Sequence, residues 1–376
     1  MFTTKRQFVA VASIITVICL CFMVTIVNQR NDFSNTSILK DISIALESQK
    51  ESDHKEHDSN PPIKDRKDIL DFIHKQCKKY HKVTVGPGEA ERPRKMVLPK
   101  NWRKHRMVYA GNPKAGSSSF KRWIHVIQGD TRPYDQIKHV HQMGSYGKVD
   151  ELFEVAEKKL GRPPTLKEAT EDFFKVTVVR NPVTKLLSGY RDKVERVSAT
   201  GIRPAMFKFN PDLNVNSTKA EKYKAFVQAV TAGKLRNHHF TPQWHKMKIC
   251  DFPYDAILQT ETANEQIKVV QEHTNTSQYI FPGSRAETGR DEGISTLQRT
   301  RGYYSLFEPE LMDKLYNYFL WDFVLMGYSK LDNPNFPHLD FDQDIKKEFG
   351  HLLKNHIDMV TANPGTDGTN KPTAKP

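Results

Sequence analysis

Residues Arg106 to Trp123 read RMVYAGNPKAGSSSFKRW, a short apolar run that ends in a Gly/Pro/Ser loop and opens into a helix-compatible stretch. The pattern predicts strand, loop, helix. Such a turn aims unpaired backbone N–H groups and the positive end of a helix at one point, which suits an anion. Hydroxyls at Ser117, Ser118 and Ser119 add donors. Gly111 and Gly116 have the spacing of a nucleoside-triphosphate loop, but Ser117 stands where the lysine of that loop follows the second glycine. The lysine lies inside the loop instead, as Lys114. That displacement argues against an ATP or GTP hydrolase and for a nucleotide whose reactive group sits differently in the loop.

Further along, Phe173 to Lys193 read FFKVTVVRNPVTKLLSGYRDK. FFKVTVV is β-branched and apolar, as a buried parallel strand requires, and Arg-Asn-Pro stops it. The stretch VTKLLSGYRDKVERV has helical spacing, which puts Arg180 at the strand's C-terminal edge and Ser188 about two turns into the helix. Each segment alone also fits an ordinary structural role, a serine-rich turn or an arginine capping a sheet edge. Together, and in this order, they suit a nucleotide phosphorylated at both its 3′ and 5′ positions.

Pro113-Lys114-Ala115-Gly116-Ser117-Ser118-Ser119-Phe120-Lys121-Arg122 resembles the 5′-phosphosulfate loop of sulfotransferases. Its terminal Lys121-Arg122 resembles the membrane-bound carbohydrate group acting on chondroitin, dermatan and related glycans, with Ser118 where threonine is usual. The second segment resembles the 3′-phosphate motif Arg-Asp-Pro-x-x-Arg-Leu-x-Ser-x-Tyr-Arg, with Asn181 for the aspartate and Lys185 for an arginine. The resemblance assigns the 3′-phosphate to Arg180 and Ser188. His239-Phe240-Thr241-Pro242-Gln243 followed by Cys250 is similar to the group's His-Trp-x-Pro region and cysteine, with Phe240 for tryptophan. The stretch from Thr300 and then LMDKLYNYFLWDFVLMGY, with Asp322, Phe323 and Tyr328, resembles the closing region, whose helix is expected to pack the core. The segments Arg162–Thr170 and Arg203–Lys222 have no counterpart. What the resemblance implies is an α/β, P-loop-like sulfotransferase fold, a mainly parallel sheet flanked by helices. The co-substrate it implies is 3′-phosphoadenosine 5′-phosphosulfate (PAPS), with no metal.

Sulfo transfer resembles phosphoryl transfer in needing in-line geometry and neutralisation of the leaving oxygen. Lys114 is therefore assigned to the oxygen bridging sulfur and the 5′-phosphate. Pro113, Ala115, Gly116 and Ser117 to Ser119 form the phosphate cradle, and Arg122 assists the 5′ side. A hydroxyl acceptor needs a base, and histidine titrates in the right range. His139 and His141, in KHVHQM between the two segments, are the first candidates; His238 and His239 are the second pair. Two exposed histidines on a basic loop are the plain alternative.

The run Phe8 to Val27, FVAVASIITVICLCFMVTIV, carries no charge and has the length of about 20 residues that one bilayer-crossing helix needs. Lys5 and Arg6 precede it, so residues 1–7 read as a cytosolic tail, 8–27 as a signal anchor and the remainder as lumenal, a type II Golgi membrane protein. A cleaved signal peptide is the alternative. Residues 28–75 are polar and charged and read as a flexible stem, 76–360 as the catalytic domain, undivided or in two smaller parts, and 361–376 as a disordered tail. Sequons at Asn35, Asn216 and Asn275 suit a lumenal chain. Cys19 and Cys21 lie in the apolar run, leaving Cys77 and Cys250 for a disulfide, or for two buried thiols.

The 57 Lys and Arg outnumber the 44 Asp and Glu, a formal charge of +13 that favours anionic partners. The compartment excludes nucleic acid, so an anionic glycan or proteoglycan acceptor is expected, with an N-acetylgalactosamine hydroxyl of a chondroitin-type chain favoured by resemblance. Scattered surface lysines explain the charge equally simply. A different terminal glycan, a catalytically silent glycan-binding membrane protein that kept the fold, and a kinase are the other readings; homodimerisation through the stem stays open.

Overall fold

The computed structural model describes residues 66–84, 93, 95–138, 140–196, 213, 216–235, 237–282, 296–332 and 345–362. The apolar run 8–27, Asn35, His139 and the tail beyond 362 lie outside them. Among the described residues, no helix is long and apolar enough to cross a membrane.

Among the described residues four strands, β1 (Met96–Val97), β2 (Met107–Ala110), β3 (Phe174–Val179) and β4 (Ala256–Gln259), form one sheet in the order β1-β2-β3-β4. β2, β3 and β4 run parallel, and β1 pairs antiparallel with β2. Every residue of β2 and β4 is buried, which is why they do not alternate with polar residues; the polar Gln259 donates to the Met326 carbonyl at 3.0 Å.

The helices are α1 (Arg66–Thr84), α2 (Ser117–Ile127), α3 (Asp150–Leu160), α4 (Leu166–Ala169), α5 (Pro182–Tyr190), α6 (Lys219–Thr231), α7 (Gln243–Met247), α8 (Ala263–His273), α9 (Thr296–Tyr304), α10 (Pro309–Tyr318), α11 (Leu320–Met326) and α12 (Ile345–Ala362). Strand side chains alternate between the two sheet faces. Met107, Tyr109, Val176 and Val178 pack with Phe120 and Trp123 of α2 and Ile267 of α8. Val108, Ala110, Val179 and Ile257 join a larger core with Ile73 of α1, Val183 of α5, Phe226 of α6 and Phe323 of α11. Helices thus cover both faces, and the sheet's carboxyl ends are left to the loops.

The stem boundary expected at residue 75 falls inside α1. Ile69, Phe72, Ile73, Gln76, Cys77 and Tyr80 are buried at helical spacing, while Asp71, His74, Lys75, Lys78 and Lys79 stand exposed. The charged face dominates the composition and conceals the apolar stripe. Cys77 of α1 is joined to Cys250, with Cα atoms 5.4 Å apart and 173 residues between them in sequence. The bond ties α1 to the chain just after α7. Of the segments without a counterpart, Arg162–Thr170 forms α4, begun by a capping box between Thr165 and Glu168.

Candidate active site

The loop after β2 carries two left-handed residues, Lys114 at φ 67° and Gly116 at φ 68°. Glycine takes this conformation freely; a lysine holds it at a cost of about 1–2 kcal/mol, a form of strain that gathers at functional sites. Gly116 begins α2 without any side-chain cap, and no acidic residue stands in the first turn. The positive end of α2, with Ser117 and Ser118 half-buried beside it, is therefore open to an anion. Pro113 is half-buried, and Ala115 is fully buried beneath the loop.

Lys114 Nζ lies 2.5 Å from Asp192 Oδ2, and Lys193 Nζ lies 3.0 Å from the same oxygen. Asp192 belongs to a π-turn, Arg191–Arg196, that continues α5. Burial lowers the Lys114 pKa despite the pairing. Burial alone would raise Asp192, but its bonds to Lys114 and Lys193 hold it below the usual aspartate value. The site thus presents a lysine with its own counter-ion, an arrangement the sequence motif does not reveal.

Arg180, half-buried at the end of β3, donates from Nη1 to the Lys114 carbonyl at 3.3 Å and from Nε to Thr184 Oγ1 at 3.0 Å. The two expected segments therefore touch. Asn181 caps α5 by accepting from Val183 N at 3.0 Å, and Ser188 is half-buried further along the helix. Lys185 is not at the surface: it is 1% exposed and donates to the Thr241 carbonyl at 3.1 Å. Burial lowers its pKa to about 8, while the same burial raises Asp322 to about 6. Asp322, which the sequence places in a packing helix, accepts from the backbone N–H groups of Gln243 and Trp244 at 2.8 and 2.7 Å.

His141 is exposed, and its Nε2 lies 3.3 Å from Ser118 Oγ, at the edge of the loop after β2. Partial desolvation, then the cations Lys121, Lys95, Lys114 and Lys193, keep its pKa below the usual histidine value. Arg122 donates from Nε to the Ile137 carbonyl at 3.2 Å, which holds the segment that leads to His141. The rings of His238 and His239 lie 4.0 Å apart. Burial first, then His238 and nearby lysines, push His239 down to about 3, so it is a weak proton acceptor. Asn216 and Asn275 are both exposed. Among the described residues, no three or more His, Cys, Asp or Glu side chains gather as they would around a metal ion.

N–H, O–H and cationic donors converge at the carboxyl ends of two neighbouring parallel strands, where an α/β sheet binds ligands. The fold is a mixed sheet flanked by helices, and this donor set has the chemistry that suits an anion. The family model described as the sulfotransferase family matches residues 102–329, more than half of the chain, and the chain belongs to that family. It is 23% identical over 276 residues to carbohydrate sulfotransferase 9 of Homo sapiens, covering 69% of this chain and 58% of the relative. It is 23% identical over 235 residues to carbohydrate sulfotransferase 14 of Danio rerio, 60% of each. To carbohydrate sulfotransferase 10 of Rattus norvegicus it is 22% identical over 300 residues, 73% of this chain and 78% of the relative. The chain thus spans 58% and 60% of the length of the first two relatives. No solved structure gives a significant match.

Proposed function

We propose that this chain is a carbohydrate sulfotransferase that moves a sulfo group from PAPS to a glycan hydroxyl, with N-acetylgalactosamine of a chondroitin-type chain the favoured acceptor. The observation that carries this reading is the Arg180 Nη1 bond to the Lys114 carbonyl at 3.3 Å, which sets the two anion segments side by side. A donor set made of cations, hydroxyls and helix N–H groups fits a nucleotide phosphorylated at both ends. The basic surroundings of His141, with Lys95, Lys121 and Lys193, fit an anionic acceptor. The apolar run 8–27 behind Lys5 and Arg6, and the sequons, support a Golgi membrane placement with the catalytic part lumenal.

PAPS, when bound, supplies an activated sulfur whose bond to the 5′-phosphate oxygen breaks as the acceptor oxygen attacks. Lys114 neutralises the charge that grows on that leaving oxygen, and must exchange Asp192 for it. Ser117, Ser118 and the first-turn amides of α2 hold the 5′-phosphate, and Arg180 with Ser188 holds the 3′-phosphate. His141, neutral because its pKa is depressed, takes the acceptor proton at Nε2, the atom that now faces Ser118. The test is transfer from radiolabelled PAPS to a panel of desulfated glycans, read by disaccharide analysis. Label on one disaccharide position establishes the acceptor, and no transfer to any glycan removes the reading.

A further inference from the structure

Gln243 sits between the two phosphate segments and belongs to neither. Its side chain pairs with Arg180 much as a neighbouring strand would: Arg180 N donates to Oε1 at 3.0 Å, and Nε2 donates to the Arg180 carbonyl at 2.6 Å. The same Oε1 accepts from Asn112 Nδ2 at 2.7 Å, and Asn112 Nδ2 also reaches the Val178 carbonyl at 3.1 Å. Asn112 opens the loop that carries Lys114, and Arg180 directly follows β3. Gln243 and Asn112 are both fully buried. One amide therefore clasps the two strand ends from which the phosphate segments depart.

The clasp is itself fixed from behind. Gln243 N and Trp244 N both donate to the fully buried carboxylate of Asp322 on α11. Both side-chain polar atoms of Gln243 and both Asp322 oxygens are hydrogen-bonded, and Asn112 Oδ1 alone of these side chains' polar atoms is left without a partner, so the network rigidifies what it joins. The strands do not need it to pair: Ala110 opposes Thr177, and Thr177 Oγ1 donates to the Ala110 carbonyl at 2.8 Å, whatever occupies position 243. What the clasp adds is the fixed distance beyond the ends of the ladder.

Resting on the PAPS reading above, we propose that Gln243, held by Asp322, is a positioning residue that sets the spacing between the 5′- and 3′-phosphate segments. A doubly phosphorylated nucleotide has a defined span, and both ends bind well only if the two cradles stand that far apart to within a fraction of an ångström. A singly phosphorylated nucleotide uses one cradle and is indifferent to the spacing. That difference separates positioning from general support of the fold, which would affect both ligands alike.

The experiment is isothermal titration of the full-length chain and its Gln243→Met variant with adenosine 3′,5′-bisphosphate and with adenosine 5′-monophosphate. Methionine keeps the volume and removes the three side-chain bonds. The expected result is a loss of about tenfold or more for the bisphosphate, with the monophosphate changed by less than about twofold. Equal losses for both nucleotides, or no loss for either, overturn the proposal. Should Gln243→Met fail to fold, Asn112→Ala cuts only the rungs from the Lys114 loop and is judged by the same selectivity. A wild-type chain that binds no bisphosphate overturns the donor reading itself and the clasp with it; normal wild-type binding with an indifferent variant overturns the clasp alone.

Discussion

The two segments proposed to hold phosphate look alike as sequence, strand then turn then helix, but their polar groups are engaged very differently. Just after β3, the side chains of Arg180, Asn181, Thr184 and Lys185 are all engaged inside the protein. Asn181 caps α5, donates from Nδ2 to the Ser329 carbonyl at 3.3 Å, and donates from its backbone N–H to Glu261 at 2.9 Å. Thr184 serves Arg180 and the Asn181 carbonyl, and Lys185 is buried against Thr241. After β2, Lys114 is held in a strained turn by a partly exposed ion pair, and the start of α2 has no side-chain cap. On the proposed reading, the first segment is a cradle with little scaffold, and the second is scaffold that carries a few ligand groups. Matching motif letters therefore do not imply matching jobs.

The largest effect that could break this contrast is at Lys114. Lys114→Ala should cost about 3–4 kcal/mol of transition-state stabilisation, a loss of roughly 10²–10³-fold in turnover, while donor affinity weakens modestly. Arg180→Ala should do the reverse and weaken donor affinity first. Measuring kcat and the donor Kd for both variants decides the point. If Lys114→Ala abolishes binding and Arg180→Ala leaves it intact, the roles are exchanged.

A smaller effect, about 100-fold in turnover, is expected from His141→Ala, with donor affinity retained. Although His141 is exposed, partial desolvation and nearby cations favour its neutral ring, so it gains its proton only below the usual histidine range. The acidic limb of the pH–rate profile should accordingly lie below about pH 6.5 and flatten in the variant. A limb unchanged in the variant assigns it to another group. His239 is a poor replacement, since at about 3 it has little drive to take a proton.

Much of this arrangement was legible in the sequence, because the signals were local. A short apolar run marked β2 and a β-branched apolar run marked β3, and the Gly/Pro/Ser loop and Arg-Asn-Pro marked their ends. α1 was missed in part because its exposed face is rich in charge, which outweighs a buried stripe of one residue in about two. Asp192 stood in plain view in SGYRDK, but nothing in that string says that its carboxylate meets Lys114, which is 78 positions earlier. Gln243 was less accessible still. Its partners Asn112 and Asp322 lie 131 and 79 residues away, and an amide between them has no pattern of its own until the chain is folded.

The finest test of the contrast is Asn181→Asp, which installs the residue that the 3′-phosphate motif usually carries. The new carboxylate can still accept from Val183 N, and a negative charge at a helix start is favoured by about 0.3–1 kcal/mol. Against this, the Nδ2–H donor to Ser329 is lost, so an oxygen would face a carbonyl in a fully buried place, with Glu261 close by. Two buried acceptors facing each other cost about 1–3 kcal/mol. The penalty is the larger of the two, so the net expectation is a destabilisation of about 1–2 kcal/mol in urea unfolding, with an unchanged m-value and donor affinity within about twofold. The deficit should shrink as pH falls, because a protonated carboxyl regains a hydrogen to donate. If Asn181→Asp instead weakens donor binding as much as Arg180→Ala does, residue 181 acts on the ligand, and the second segment is a cradle after all.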